Sequence, residues 1–224
     1  MADSHRKSLV IVGAGGLGRI VYSVLTADTV AMAEYKIIGF LDTRLDLQLP
    51  ADIEVPILGN PLDYVPGADE YFIPAVGLPD WREKLVAPLL ERGARFISQT
   101  RHSSMGARTT VGRGSFITPG AVVSVDCQIG EFAYLDTYVI LGHDVVLGDH
   151  CQIGAMSFLA GGVRVGRGVS IHPRATIAKN VVIGDGAIVG IGSVVVNNVP
   201  PGVTVFGNPA RVIHSSAPRD AAHG

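Results

Sequence analysis

The 224-residue chain has two cysteines, no cluster of basic residues and no long apolar run, and each shortage excludes something. Two cysteines make no disulfide framework. Cys127 and Cys151 stand where serine or alanine stands in neighbouring repeats, so they read as small buried hydrophobes rather than disulfide partners, metal ligands or nucleophiles. Charges nearly balance, with 18 Lys plus Arg against 20 Asp plus Glu and a net charge of −2. Without a basic cluster, nucleic acid is not an expected partner. The apolar stretch Leu9–Val12 is too short for a signal-peptide core or a membrane span, so a cytoplasmic chain without a membrane partner is expected. No Gly-x-Ser-x-Gly elbow occurs, which leaves a covalent acyl-enzyme unsupported.

What is present is a period of six. Stepping by six from Met105 to Val195 meets an aliphatic residue at all sixteen positions, and four places after each, from Thr109 to Val199, stands a small or β-branched one. Gly112, Gly130, Gly148, Gly166 and Gly184 add a spacing of eighteen. Three short strands per coil, with coils stacked about 4.8 Å apart, account for both periods. The aliphatic side chains then point inward, the small ones fit where two walls converge, and glycine recurs at one corner. The expectation is a parallel β-helix of about five coils. No insertion interrupts the register, so no long loop projects to build an active site within one chain.

Ahead of the coils, Ser8–Val12 reads as a strand, followed by Gly13-Ala14-Gly15-Gly16-Leu17-Gly18-Arg19 and a helix to Leu25. A second strand, Lys36–Leu41, ends at Asp42. Bare amides at the helix start suit an anion, and a carboxylate beyond a second strand stands where Rossmann-type folds bind a ribose hydroxyl. Gly13, Gly15 and Gly18 satisfy the dinucleotide fingerprint literally, which makes an NAD enzyme one alternative. The segment to about residue 100 holds only one mononucleotide half with a few extra strands, so a single nucleotide or nucleotide-sugar diphosphate is preferred. Further strands are expected at Glu54–Leu58, at Glu70–Val76 closing on Gly77 at the same crevice, and at Ala94–Ser98. A helix over Asp80–Arg92 is expected to kink or divide at Pro88 and to pack Trp81. The domain reading is a mixed α/β Rossmann-like unit over residues 1–100, an all-β unit over 101–213 with a turn-rich closing segment, and a flexible tail over 214–224.

Chemistry must sit on the outer walls of the prism. His143, His150 and His172 lie on the coils, but steps of eighteen place none of them on another, so a zinc site within one chain is not supported. His143 precedes Asp144, and Asp126 lies eighteen residues before Asp144, which stacks two carboxylates beside the imidazole. A carboxylate fixes the tautomer of a histidine and stabilises the imidazolium formed when the ring accepts a proton, which suits a general base.

Gly13 to Gly18, Gly39-Phe40-Leu41-Asp42, Gly142-His143-Asp144-Val145-Val146-Leu147-Gly148-Asp149 and Gly207-Asn208-Pro209-Ala210-Arg211 together resemble the sialic-acid O-acetyltransferase-like family, in its nucleotide-aminosugar N-acetyltransferase branch. The likeness runs from about residue 8 to 213. It implies a homotrimer of left-handed β-helices with acetyl-CoA as co-substrate, no metal, and acetyl transfer to the amino group, at C4, of a nucleotide-linked amino-deoxysugar. Sugar O-acetylation is the runner-up, and a non-catalytic nucleotide-sugar sensor a third reading. The resemblance implies His143 as base with Asp144 in support, and nucleotide-sugar contacts from Gly13, Ala14, Gly15, Gly16, Leu17, Asp42, Thr43 and Gly77. For acetyl-CoA it implies Gln152, which stands where many relatives carry a second histidine, together with Gly161, Pro173 and Ile191.

Overall fold

Leu9 to Val12 are sealed from solvent in the computed structural model, which describes residues 6–215. They form the core of β1 (Lys7–Val12), and an unbroken apolar strand is what a parallel sheet covered on both faces requires. The chain continues through α1 (Gly16–Ala27), α2 (Thr29–Glu34), β2 (Tyr35–Leu41), β3 (Ile57–Gly59), β4 (Glu70–Pro74), α3 (Pro79–Glu91) and β5 (Arg95–Phe96). All five strands are parallel, in the order β3-β2-β1-β4-β5. The winding direction reverses at β1, so the crevice beyond the C-terminal ends of β1 and β4 is the place where open α/β sheets bind ligands.

Several local expectations shift. The third strand is short and centred on Leu58, and α2 adds a helical turn that the periodicity did not show. Asp28 starts α2: its carboxylate accepts the N–H groups of Val30 and Ala31, both at 3.0 Å. Pro88 does not divide α3, which runs unbroken from Pro79 to Glu91. Leu85, Val86 and Leu89 are buried around it, and that packing outweighs one lost backbone bond. Trp81 is not a core residue; it is 47% exposed, with Lys84 Nζ 4.5 Å from its ring centroid.

The second compact unit begins at Thr100, and residues 113–116 group with the first. Sixteen two-residue strands, β6 (Ser104–Met105) to β21 (Val194–Val195), rotate among three parallel walls. The first wall holds Val122–Val123, Ile140–Leu141, Phe158–Leu159 and Thr176–Ile177; the second holds Val146–Leu147 and Arg164–Val165; the third holds Gln152–Ile153 and Ser170–Ile171. Partners differ by eighteen throughout, as in Ile140 with Phe158 and Val146 with Arg164. From Ile117 to Val195 all fourteen aliphatic hexad positions are at most 4% exposed, whereas Met105, in the first coil, is 37% exposed. Cys127 and Cys151 form no disulfide and are fully buried among them, and burial pushes the Cys127 thiol up from its ordinary range.

A further period of six appears only in the backbone. At every sixth residue from His102 to Gly192 φ is positive, between 55° and 83°, and ten of these residues are not glycine. This left-handed residue turns each corner of the prism and costs a non-glycine residue about 1–2 kcal/mol. The eighteen-spaced glycines serve another purpose. Their φ is ordinary, and each is pressed by the next coil: a Cβ on Gly148 would lie 2.7 Å from Arg167 N and Gly166 C. Close approach, not an unusual turn, selects glycine there.

The closing segment is more regular than expected. β22 (Val203–Gly207) extends the third wall and pairs antiparallel with β23 (Ala210–Ser215) across a cis Asn208–Pro209 peptide. His214 and Ser215, expected in the flexible tail, pair with Thr204 and Val203 in that hairpin; the rest of the expected tail, 216–224, lies outside the described residues.

The corner residues give a test. Met156 is 60% exposed at φ 59°, so strain rather than packing dominates its contribution. Met156→Gly is expected to hold or raise stability by up to about 1 kcal/mol, whereas Met156→Val lowers it by at least about 1 kcal/mol, read by chemical denaturation.

Candidate active site

The candidate site residues fall into two groups, one in each unit. In the first unit the ends of β1, β2 and β4 are tied together. Gly13 N–H donates to Leu41 O and Ala75 N–H to Val12 O, each at 2.7 Å. Gly13–Leu17, Asp42–Arg44 and Ala75–Gly77 therefore lie at adjacent strand ends. Gly18 lets α1 pack onto the turn: a Cβ there would collide with Gly13 O. Gly15 is the N-cap of α1, which has no side-chain cap and no acid in its first turn.

Arg82, only 2% exposed, was not singled out in the sequence. Its Nη1 donates to Val76 O and Gly77 O, both at 2.8 Å, and so fixes the loop that carries Gly77. A long polar side chain on an apolar helix face was the available signal. Thr43 is exposed beside Asp42, and Leu17 is half-buried in the first turn of α1.

Asp42 is 5% exposed and fully engaged. Its Oδ2 accepts Ala14 N–H at 2.8 Å and Arg44 Nη2 at 2.9 Å; its Oδ1 accepts Arg44 N–H at 3.0 Å and Arg44 Nε at 2.9 Å. Burial pushes this carboxyl up, but the Arg44 guanidinium and the two amides outweigh it and hold the group below its ordinary 3.8. A depressed folded-state value contributes stability that is present above the unfolded-state value and lost as pH falls through the folded one. The stability difference between wild type and Asp42→Asn should therefore be constant near neutrality and shrink below 3.8, measured by denaturation at about pH 6 and about pH 3.

In the second unit His143 and Asp144 occupy the edge between the first and second walls. His143 Nδ1 lies 2.6 Å from Asp144 Oδ2, and the two side chains are 54% and 63% exposed. Asp144 is a left-handed corner residue, φ 58°, and that turn carries its carboxylate back to the preceding ring. Beneath the ring is Gly161, one coil on: a Cβ there would fall 2.5 Å from His143 Nε2. Among the described residues the Gly161 N–H donates to no acceptor. The corresponding amides of Glu131 and Arg167, on another edge, are capped by Asp149 and Asp185 at 2.8 Å. One coil beyond Gly161 stands Lys179, which carries no acceptor.

Of the expected pair of carboxylates, Asp144 is the one hydrogen-bonded to the imidazole among the described residues. Asp126 is gripped by Arg108, with Nε 2.5 Å from Oδ1 and Nη2 2.7 Å from Oδ2. Arg108 holds the Asp126 carboxyl below its usual range, with His143 a lesser contributor. His150 is buried and stacked on Phe132, ring centroids 5.1 Å apart, well separated in register from His143. Gln152 lies on the third wall, and Pro173 and Ile191 stack one coil apart on the edge between the third and first walls. A single chain therefore brings Gly161 to His143 but leaves Pro173 and Ile191 across the first wall. Among the described residues no group of three or more His, Cys, Asp or Glu side chains is placed to hold a metal ion, and no helix is long and apolar enough to cross a membrane.

Known proteins match both units. The model for the PglD N-terminal domain matches residues 8–89, and that for the bacterial transferase hexapeptide (six repeats) matches 126–161. GDP-perosamine N-acetyltransferase of Escherichia coli is 29% identical over 215 residues, covering 92% of this chain and 96% of that protein. The acyl-carrier-protein-dependent UDP-N-acetylglucosamine O-acyltransferase of Pseudomonas aeruginosa is 33% identical over 107 residues, and the chain spans 42% of its length. Among solved structures, a histidine variant of perosamine N-acetyltransferase from Caulobacter crescentus, in complex with CoA and GDP-perosamine, superposes with a TM-score of 0.83 at 27% identity, over 93% of this chain and 97% of that one. The acetyltransferase domain of PglB from Neisseria gonorrhoeae in complex with acetyl coenzyme A gives 0.82 at 25% identity, over 93% and 100%. With both units matched and the likeness running the full length, the chain is homologous to hexapeptide-repeat sugar acetyltransferases.

Proposed function

We propose that the chain transfers the acetyl group of acetyl-CoA to the amino group, at C4, of a nucleotide-linked amino-deoxysugar, with His143 as general base. The observation that carries this reading is the His143–Asp144 pair above Gly161. With Nδ1–H donated to Asp144, the ring presents the lone pair of Nε2. The amine nitrogen attacks the thioester carbonyl carbon and Nε2 accepts the amine proton. The tetrahedral intermediate collapses with loss of the C–S bond, and the same proton passes to the departing thiolate, leaving His143 neutral. Asp144 stabilises the intervening imidazolium. The uncommitted Gly161 N–H is the proposed donor to the oxyanion, a role typically worth about 10²–10³ in rate.

The nucleotide part is assigned to the strand-end crevice around Gly13–Leu17, with Asp42, Thr43 and Gly77 at its border. The five-stranded sheet makes one mononucleotide unit, which supports a single nucleotide over NAD. Acetyl-CoA is assigned to Gln152, Gly161, Pro173 and Ile191. The edges bearing His143 and Pro173 border the same wall, and that wall carries exposed Val122, Ile140 and Phe158 at eighteen-residue spacing. An apolar stripe between two incomplete halves of a site supports a homotrimer in which a neighbouring copy completes the cleft. The cytoplasmic location read from the sequence belongs to the same proposal. O-acetylation of a sugar hydroxyl is the second reading, favoured by the O-acyltransferase likeness of the coils alone.

Comparing an amino sugar nucleotide with its hydroxyl analogue under acetyl-CoA separates the two readings, since only the first predicts preference for the amine. His143→Ala is expected to lower kcat by about 10²–10⁴ with the KM for acetyl-CoA little changed, and unchanged turnover across pH would remove His143 as base. Gly161→Ala has a different signature. The ring above it is exposed and can swing away, so stability should change by less than about 1 kcal/mol while kcat falls at least about tenfold. Full activity in that variant would contradict the ring placement.

A further inference from the structure

The nucleotide site assigned above contains a carboxylate with no capacity left for a ligand. A carboxylate offers about four lone-pair sites. In Asp42 all four are taken within the chain, by Ala14 N–H, Arg44 N–H, Arg44 Nε and Arg44 Nη2. A ribose hydroxyl bonding to Asp42 would have to displace one of these partners. What the carboxylate does instead is hold an arginine by two parallel bonds, the geometry that fixes a guanidinium in place.

That guanidinium overlies the glycine-rich turn. The Cβ position at Gly15 is 3.6 Å from Arg44 Nη2. A guanidinium has five N–H donors, and Asp42 occupies two of them, so three remain. The side chain is 57% exposed despite the clamp, so those donors face open space beside the turn. Asp46 is a further anion near enough to act on Arg44. The arrangement is costly to keep without a purpose: a long, rotamer-rich side chain is frozen at the surface with most of its donors unused.

We propose that Arg44, held by Asp42, binds the phosphate groups of the nucleotide-linked substrate, and that Asp42 is a positioning residue that acts through Arg44 without touching the ligand. This inference rests on the nucleotide-site reading above. Planar, always-charged and pre-oriented, Arg44 can pair with two phosphate oxygens at once. Because it reads phosphate rather than the base or sugar, it contributes equally to binding of any nucleoside diphosphate.

The test is isothermal titration of the full-length chain with UDP, GDP and dTDP, and with acetyl-CoA, in wild type, Arg44→Gln, Arg44→Lys and Asp42→Asn. Arg44→Gln is expected to weaken each diphosphate that wild type binds by about tenfold to a hundredfold and to flatten its salt dependence, with acetyl-CoA affinity unchanged. Arg44→Lys, which keeps the charge but not the paired grip, should give a smaller loss with the salt dependence retained. Asp42→Asn should weaken UDP and its 2′,3′-dideoxy analogue by the same factor. A loss confined to the ribonucleotide would instead show Asp42 on the ribose and overturn the positioning role. Wild-type diphosphate affinity in Arg44→Gln would overturn the proposal alone, whereas a wild-type chain that binds none of the three diphosphates would overturn the nucleotide-site reading as well.

Discussion

Burial of one aliphatic side chain in every six residues is the interaction on which the rest of the second unit depends. Each fully buried aliphatic side chain stabilises by about 1.5–3 kcal/mol. Each corner takes a residue into the left-handed region at a cost of about 1–2 kcal/mol when it is not glycine. With a second, smaller side chain also buried per hexad, the gain exceeds the strain at each step, so corners can carry His, Arg, Asp, Phe, Tyr, Met or Asn without breaking the register. Corner positions can then vary, because the coil keeps its register whichever residue stands there.

Asp144 is one such corner residue, and its backbone turn is what brings the carboxylate to the Nδ1 of the residue before it. Coil stacking supplies the floor: eighteen residues on, a glycine leaves open the space that the imidazole fills. Stacking also explains the available amide. Where an aspartate follows one coil later, as for Glu131 and Arg167, the amide is capped; where Lys179 follows, it is not. Imidazole, carboxylate, floor and amide thus arise from one repeat with four local choices. In the first unit the same economy appears at the strand ends, where one buried carboxylate ties a turn to an arginine.

Much of this was legible in the sequence. The inward positions, the eighteen-residue register, the parallel α/β unit and the His143–Asp144 pair all followed from periodicity and residue type. The positive-φ period was hidden because its positions tolerate almost any side chain. Spacing places Asp126 near His143 without revealing that Arg108, eighteen residues earlier, takes both its oxygens. Pro88 read as a helix breaker because local propensity does not register the burial of Leu85, Val86 and Leu89. Asp42 was found for its position, yet its saturation by Ala14 and Arg44 is a property of side-chain geometry that no spacing displays.

The central claim is that His143 receives a proton from an amine attacking acetyl-CoA. Its most direct measurement is release of free CoA thiol when the purified chain meets acetyl-CoA and UDP-, GDP- and dTDP-linked 4-amino sugars, with wild type and His143→Ala compared. The account predicts thiol release with at least one amino sugar and a loss of about 10²–10⁴ in the variant. Equal release by both proteins, or release with none of the amino sugars that bind, would contradict it.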